Sequence, residues 1–152
     1  MIHEAVVLIT VFIICWLVDK RSKYQKCTLR WIFSAFLVLY ITVLRRDPQE
    51  REVRLIPFQI FTLRTLYTDF LNIILFVPLG YETQKMNKRK SCIQKLKRSL
   101  IFGFVLSLLV ESLQLVFERG TCDAEDLIFN TIGALLGGIL YELLNRNFSV
   151  EK

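Results

Sequence analysis

Hydrophobic positions in this chain fall into long blocks, and the charged positions are bunched between them. A soluble domain of this size would alternate apolar and polar positions along amphipathic elements. Here Ile101–Phe117 contains no Lys, Arg or Asp, and Glu111 is its only ionisable residue. Leu127–Leu144 carries only Glu142 as a charge. Helices of this length rise far enough to cross a hydrocarbon core, which takes about 20 residues. Three further blocks follow the same pattern. They are Ile2–Val18, a shorter one from Trp31 to Leu44, and Leu66–Tyr81, which contains Asp69, Asn72 and Pro78. The expected fold is an all-α, five-helix transmembrane bundle forming one domain over residues 1–152. The second block is short for a span unless Leu29 and Arg30 join it, with the arginine snorkelling outward.

The connections set an orientation. Lys and Arg number five in the first loop (Lys20, Arg21, Lys23, Lys26, Arg30) and seven between Lys85 and Arg98. The second loop has five (Arg45, Arg46, Arg51, Arg54, Arg64), but Asp47, Glu50 and Glu52 accompany them. Arg119 alone lies in the fourth loop, and Arg146 and Lys152 lie in the tail. Placing the first loop, the third loop and the tail inside puts fourteen cations on the cytoplasmic face and six opposite. The positive-inside rule then places the amino terminus outside and the carboxy terminus in the cytoplasm of a cell-membrane protein. The first block lacks a basic leader and a small-residue cleavage site, and Asp19-Lys20-Arg21 follow it at once, so it reads as a retained anchor. Between the second and third blocks, Leu55-Ile56-Pro57-Phe58-Gln59-Ile60-Phe61 is apolar but too short to span. An interfacial or re-entrant segment is expected there.

Composition then narrows the chemistry. A net charge of +6 would suggest nucleic acid in a soluble protein, but here the excess cations serve topology and no nucleic-acid partner is expected. Four cysteines stand singly, without a C-x-x-C pair, so neither a metal site nor a disulfide framework is expected. His3 is the only histidine, which disfavours a His-assisted Ser or Cys nucleophile. No Gly-rich phosphate loop or other cofactor motif is present. Any chemistry would run on carboxylates and arginines.

With this topology the unusual polar residues converge near the outer face. Asp69 and Asn72 share one face of the third block. Ser107, Glu111, Gln114 and Glu118 draw a stripe down the fourth. Asp123, Asp126, Asn130, Gly133, Gly137 and Tyr141 draw one down the fifth. Simpler roles exist for several of these. Asp123 and Asp126 suit an N-cap and the first turn of a helix. Gly133-x-x-x-Gly137 suits close helix packing, and Asn72, Gln114 and Asn130 suit interhelical hydrogen bonding worth about 1 kcal/mol each. Pro78-Leu79-Gly80 suits a kink or helix end at the inner surface. Glu111 is harder to assign to structure, because a carboxylate that deep in an apolar helix is costly without a partner. The candidate cations for it are Arg119, Arg51, Arg54 and Arg45.

The ordered set Leu55-Ile56-Pro57-Phe58, Asn72 to Gly80, Glu111-Ser112-Leu113-Gln114, and Arg119 to Asp126 with Asn130, Gly133 and Gly137 resembles the VanZ-like family of bacterial membrane proteins. The resemblance runs from about Arg51 to Tyr141. It implies an association with resistance to glycopeptide antibiotics, above all the lipid-tailed teicoplanin. Arg54 stands where the family pattern leads one to expect Asn, which leaves Arg51 as the better match. On this basis Arg51, Asn72, Glu111, Gln114, Arg119, Asp123, Asp126 and Asn130 are the candidate ligand-binding residues.

Three functions follow. The leading one is a resistance factor that binds the lipoglycopeptide or a lipid-linked cell-wall precursor among membrane lipids. The second is an intramembrane hydrolase or transferase on a lipid-linked head group, with Glu111, Asp126 or Asp123 as acid/base. The third is a structural or partner-binding membrane protein. Turnover of a labelled precursor that depends on Glu111 would single out the enzyme.

Overall fold

The structure, a computed structural model, describes residues 25–44, 46, 48, 52–58, 62–86 and 91–150. The first apolar block and Arg51 therefore lie outside the described residues. Four α-helices occur among the described residues: α1 (Gln25–Leu39), α2 (Leu63–Lys85), α3 (Cys92–Phe117) and α4 (Ala124–Val150). They correspond to the second to fifth blocks. A π-helical turn, Tyr40–Leu44, ends α1. Two three-residue strands, β1 (Glu52–Arg54) and β2 (Thr121–Asp123), join the loops at one end of the bundle, called the strand end below. They pair in parallel, Glu52 opposite Thr121, Val53 opposite Cys122 and Arg54 opposite Asp123.

Local chemistry fixes the helix starts. Thr62 caps α2 through a reciprocal box in which Thr65 N donates to Thr62 Oγ1 at 3.2 Å and Thr62 N to Thr65 Oγ1 at 3.0 Å. Ser91 caps α3, so that helix begins in the basic stretch well before Leu100. Asp123 accepts the Glu125 N–H at 2.8 Å, the bond an N-cap residue makes at the start of α4. At the other end of α3, Glu118 turns left-handed at φ 55, and Arg119 N donates back to Gln114 O at 2.9 Å. Of the two roles expected for Pro78, a kink or a helix end, the second does not hold. The helix runs on to Lys85, because the surrounding helices hold the segment where the proline withholds one hydrogen bond.

Packing centres on α2 against α4. A Cβ at Gly133 would run into the Ile73 carbonyl, and one at Gly137 into that of Val77. Gly80 lies against the Ala134 carbonyl in the same way, and Gly103 of α3 against the Ala134 side chain. Backbones approach this closely only where side chains are absent. The buried apolar core is small: Val38, Val43, Leu75, Phe76, Leu79, Val110 and Ala134.

The surface is the reverse of a soluble protein's. Leu100, Ile101, Phe104, Val105, Leu108 and Leu109 of α3 are exposed, while Ser99, Ser107, Glu111 and Gln114 on its other face are buried. Contiguous apolar surface on this scale marks an interaction with lipid or another apolar partner. Cys92–Phe117 and Ala124–Asn145 are each long and apolar enough to cross a membrane. Together they suggest a membrane protein.

The loop apolar segment is seen in part. Residues 55–58 form a turn at the strand end with Leu55, Ile56 and Phe58 exposed. The Phe58 ring meets Phe129 edge-on at 6.2 Å, and its N–H donates to Glu125 Oε2 at 3.3 Å.

Candidate functional site

The buried face of α3 recurs every three or four residues through Ser99, Gly103, Ser107, Glu111 and Gln114, so one stripe of this helix carries its polar groups inward. Near the strand end this stripe meets the first turns of α4 and α2. Glu111 is 4% exposed; its Oε2 accepts the Asp123 backbone N–H at 2.9 Å, and its Oε1 has no hydrogen-bond partner among the described residues. Asp126, on the first turn of α4, accepts Asn72 Nδ2 at 2.6 Å, which ties α4 to α2. Asp69 is buried one turn before Asn72. Asn72, Glu111, Asp123 and Asp126, four of the candidates, thus gather in one place.

The remaining candidates take other positions. Asn130 lies one turn deeper, where its Nδ2 donates to Ser107 Oγ at 2.9 Å and its Oδ1 has no partner. Gln114 and Arg119 serve α1. Gln114 Nε2 donates to Thr42 O at 3.0 Å, and Arg119 Nη1 donates to Leu44 O at 2.8 Å and Arg46 O at 3.1 Å. Carbonyls at the end of a helix lack partners within it and attract a cation. These two side chains thereby tie the end of α1 to α3. Arg54 pairs with its neighbour Glu52 at 2.8 Å and is half-buried.

Among the described residues, the cation whose charge reaches the site is Arg46, which was not among the candidate cations. Its side chain lies over Gly120, so closely that a Cβ there would sit 2.7 Å from Nη1. Gly120 also adopts φ 123, a conformation that favours glycine. From this seat the Arg46 charge acts on both Glu111 and Asp126. The sequence signal was the glycine after Arg119: a left-handed glycine beside a charged loop marks a close approach.

A second polar cluster occupies the opposite end, so the polar residues do not all gather at one face as expected. Arg30 is 7% exposed; instead of snorkelling outward it turns in, and its Nε meets Glu82 Oε1 at 3.1 Å. Glu82 sits in the part of α2 that continues past Pro78, which is why the pairing was hidden from the block pattern. Trp31 Nε1 donates to Thr83 Oγ1 at 2.9 Å, and Lys95 pairs with Glu142 at 3.0 Å. Between the two clusters lie Phe76, Leu79, Val110 and Ala134, all almost wholly buried. Arg30→Ala or Glu82→Ala breaks this buried ion pair from one side, and each is expected to destabilise the fold by about 3–5 kcal/mol. Joint replacement of both by leucine should recover much of that loss. Thermal unfolding of the detergent-solubilised variants is the check, and a double variant no better than either single would show that the pair is not coupled.

The helices and this end of the bundle define a class: a helical membrane-type protein with a carboxylate-rich site closed by a short parallel strand pair. The chain belongs to the VanZ/LLP1 family, which it matches over residues 6–145. It is similar to Protein VanZ of Enterococcus faecium, with 31% identity over 126 residues, 82% of this chain and 73% of the relative. No solved structure matches the chain.

Proposed function

We propose that the chain is a multi-pass protein of the bacterial cell membrane that lowers susceptibility to teicoplanin-type glycopeptides, with its strand end at the outer face. The reading rests on family membership and one observation: Asn72, Glu111, Asp123 and Asp126, from separate parts of the family pattern, come together at the strand end. A site there suits a ligand at the outer leaflet, either the lipoglycopeptide or the lipid-linked precursor it recognises. Catalysis is the second reading, favoured by Glu111 Oε1, a buried carboxylate oxygen left without a partner. Purified protein given labelled lipid-linked precursor separates the two. Saturable binding without product supports the binding protein, and Glu111-dependent turnover supports the enzyme. The decisive test in cells is teicoplanin susceptibility of carboxylate variants, argued in the Discussion.

The orientation has its own test in single-cysteine variants. Cys122, between α3 and α4, should react with a membrane-impermeant maleimide in intact cells, and Cys92 only after permeabilisation. Burial, reinforced by the nearby charges of Glu111, Asp123 and Asp126, pushes the Cys122 thiol above its usual range. The reactive thiolate is therefore scarcer at a given pH, and labelling of Cys122 should rise at a more alkaline pH than that of an open thiol. Labelling of Cys92 from outside would invert the topology. An unshifted pH profile at Cys122 would mean that the thiol is open to water.

A further inference from the structure

The strand end gathers more carboxyl groups than cations among the described residues. Asp69, Glu111, Asp123, Glu125 and Asp126 lie close enough to act on one another electrostatically. None of the five forms an ion pair with a described residue. Four are held by backbone or amide donors: Asp123 N serves Glu111 Oε2, Asn72 serves Asp126 Oδ1, Glu125 N serves Asp123 Oδ1 and Phe58 N serves Glu125 Oε2. Glu111 Oε1 is left over, on a side chain that is 4% exposed. Water or a partner normally satisfies such an atom, and a charge-assisted donor satisfies it best.

Arg46 is unmatched in the opposite sense. Its guanidinium makes no hydrogen bond or ion pair with the described residues, although its charge reaches Glu111 and Asp126. Gly120 fixes where it sits. A guanidinium whose charge reaches two carboxyl groups without bonding to either sets an anion-seeking group beside cation-seeking ones. A ligand carrying both charges a few bonds apart completes both.

We propose that this end of the bundle binds a lipid head group that carries a primary ammonium beside a phosphodiester. The ammonium faces Glu111 Oε1 and Asp126, and the phosphate faces Arg46. Two features favour an aminophospholipid. The arginine and the carboxylates are close together, which matches an amine only a few bonds from the phosphate. The exposed Leu55, Ile56 and Phe58 beside the site, with Phe58 hydrogen-bonded to Glu125, give acyl chains an apolar flank. The inference rests on the reading of the strand end as a ligand site at the outer leaflet, and it narrows the ligand to an amine-bearing phosphate lipid.

The test uses the full chain in nanodiscs of phosphatidylglycerol alone, or of phosphatidylglycerol mixed equally with phosphatidylethanolamine or with phosphatidylcholine. Lipids retained on release into the gas phase are counted by native mass spectrometry. Phosphatidylcholine keeps the positive charge but has no N–H to donate, so it controls for charge alone. The wild-type chain should retain phosphatidylethanolamine over phosphatidylcholine by about tenfold, the scale of one charge-assisted hydrogen bond. Glu111→Gln should erase most of that preference, while Arg46→Gln should lower retention of both. Glu111→Asp and Arg46→Lys keep the charges, and partial preference in them excludes general misfolding as the cause. Equal retention of the two lipids by the wild-type chain overturns the proposal, as does a preference that survives both Glu111→Gln and Arg46→Gln. Retention of added lipid-linked precursor without the ethanolamine preference also overturns it, while leaving the resistance reading intact. Loss of resistance in the carboxylate variants without the preference gives the same division.

Discussion

Glu111→Gln and Asp126→Asn are each expected to abolish teicoplanin resistance in a susceptible host while leaving membrane-inserted protein near wild-type abundance. The geometry allows this separation. A glutamine at 111 keeps an amide oxygen for the Asp123 N–H, the one bond that Glu111 now accepts. An asparagine at 126 keeps an oxygen for Asn72 Nδ2. Neither carboxyl forms an ion pair with a described residue, so neither change strands a cation. Arg46 approaches these carboxyl groups without bonding to them and also packs against Gly120. If the carboxylates served only to join helices, the amides would serve nearly as well, at about 1 kcal/mol per bond. Immunoblotting of membranes alongside minimum inhibitory concentrations therefore distinguishes the roles. Full resistance in both variants at normal abundance would remove the carboxylates from the mechanism. Loss of protein along with resistance would mark them as structural.

How far this site was legible in the sequence depended on whether a residue's role followed from its own helix. Glu111, Asp123 and Asp126 were found because a carboxylate in or beside an apolar helix stands out against the block. Asp123 also took the N-cap role that its place before the helix suggested. Gln114 and Arg119 looked the same in the one-dimensional pattern. Their side chains instead satisfy the end of α1, more than 70 residues away in the chain. Polar character alone does not say whether a group serves a ligand or a backbone carbonyl. Arg46 was invisible for the converse reason: it sits among other loop arginines, and only the bare Cα of Gly120 shows which of them turns in. The β1–β2 pairing was equally hidden, since two three-residue strands carry no periodicity to read. The buried Arg30–Glu82 pair shows the limit of block-based reading for the fold. Charges at block edges read as topology signals, yet this pair lies in the parts of α1 and α2 that extend beyond the blocks and joins the two helices.

Gly133→Leu together with Gly137→Leu is expected to eliminate most folded, extractable protein. The expectation comes from where the missing side chains would go. At Gly133 the first carbon would meet the Ile73 carbonyl, and at Gly137 that of Val77, both on the backbone of α2. A flexible side chain yields to an intruding methyl, but a helix backbone does not, so the whole of α2 would have to move away from α4. Overpacking at a single well-packed position costs about 1–3 kcal/mol. Two such positions one turn apart act on the same pair of helices and on the carboxylate site above them. Separation would stretch the 2.6 Å bond between Asn72 and Asp126 and uncover Phe76 and Leu79, which pack in the core beside this contact. Single alanine variants form a graded series: each should lower the unfolding temperature in detergent, with less effect than leucine. Fluorescence-detected size exclusion and thermal unfolding give the readout. Gly138→Ala makes a useful contrast, because a Cβ there would meet the Gln84 amide at 2.8 Å and the Ser99 hydroxyl at 3.1 Å, side-chain atoms that shift more readily than a helix backbone. It should be tolerated far better than Gly137→Ala. Normal yield and stability in the Gly133/Gly137 double leucine variant would show that α2 and α4 do not pack through this face.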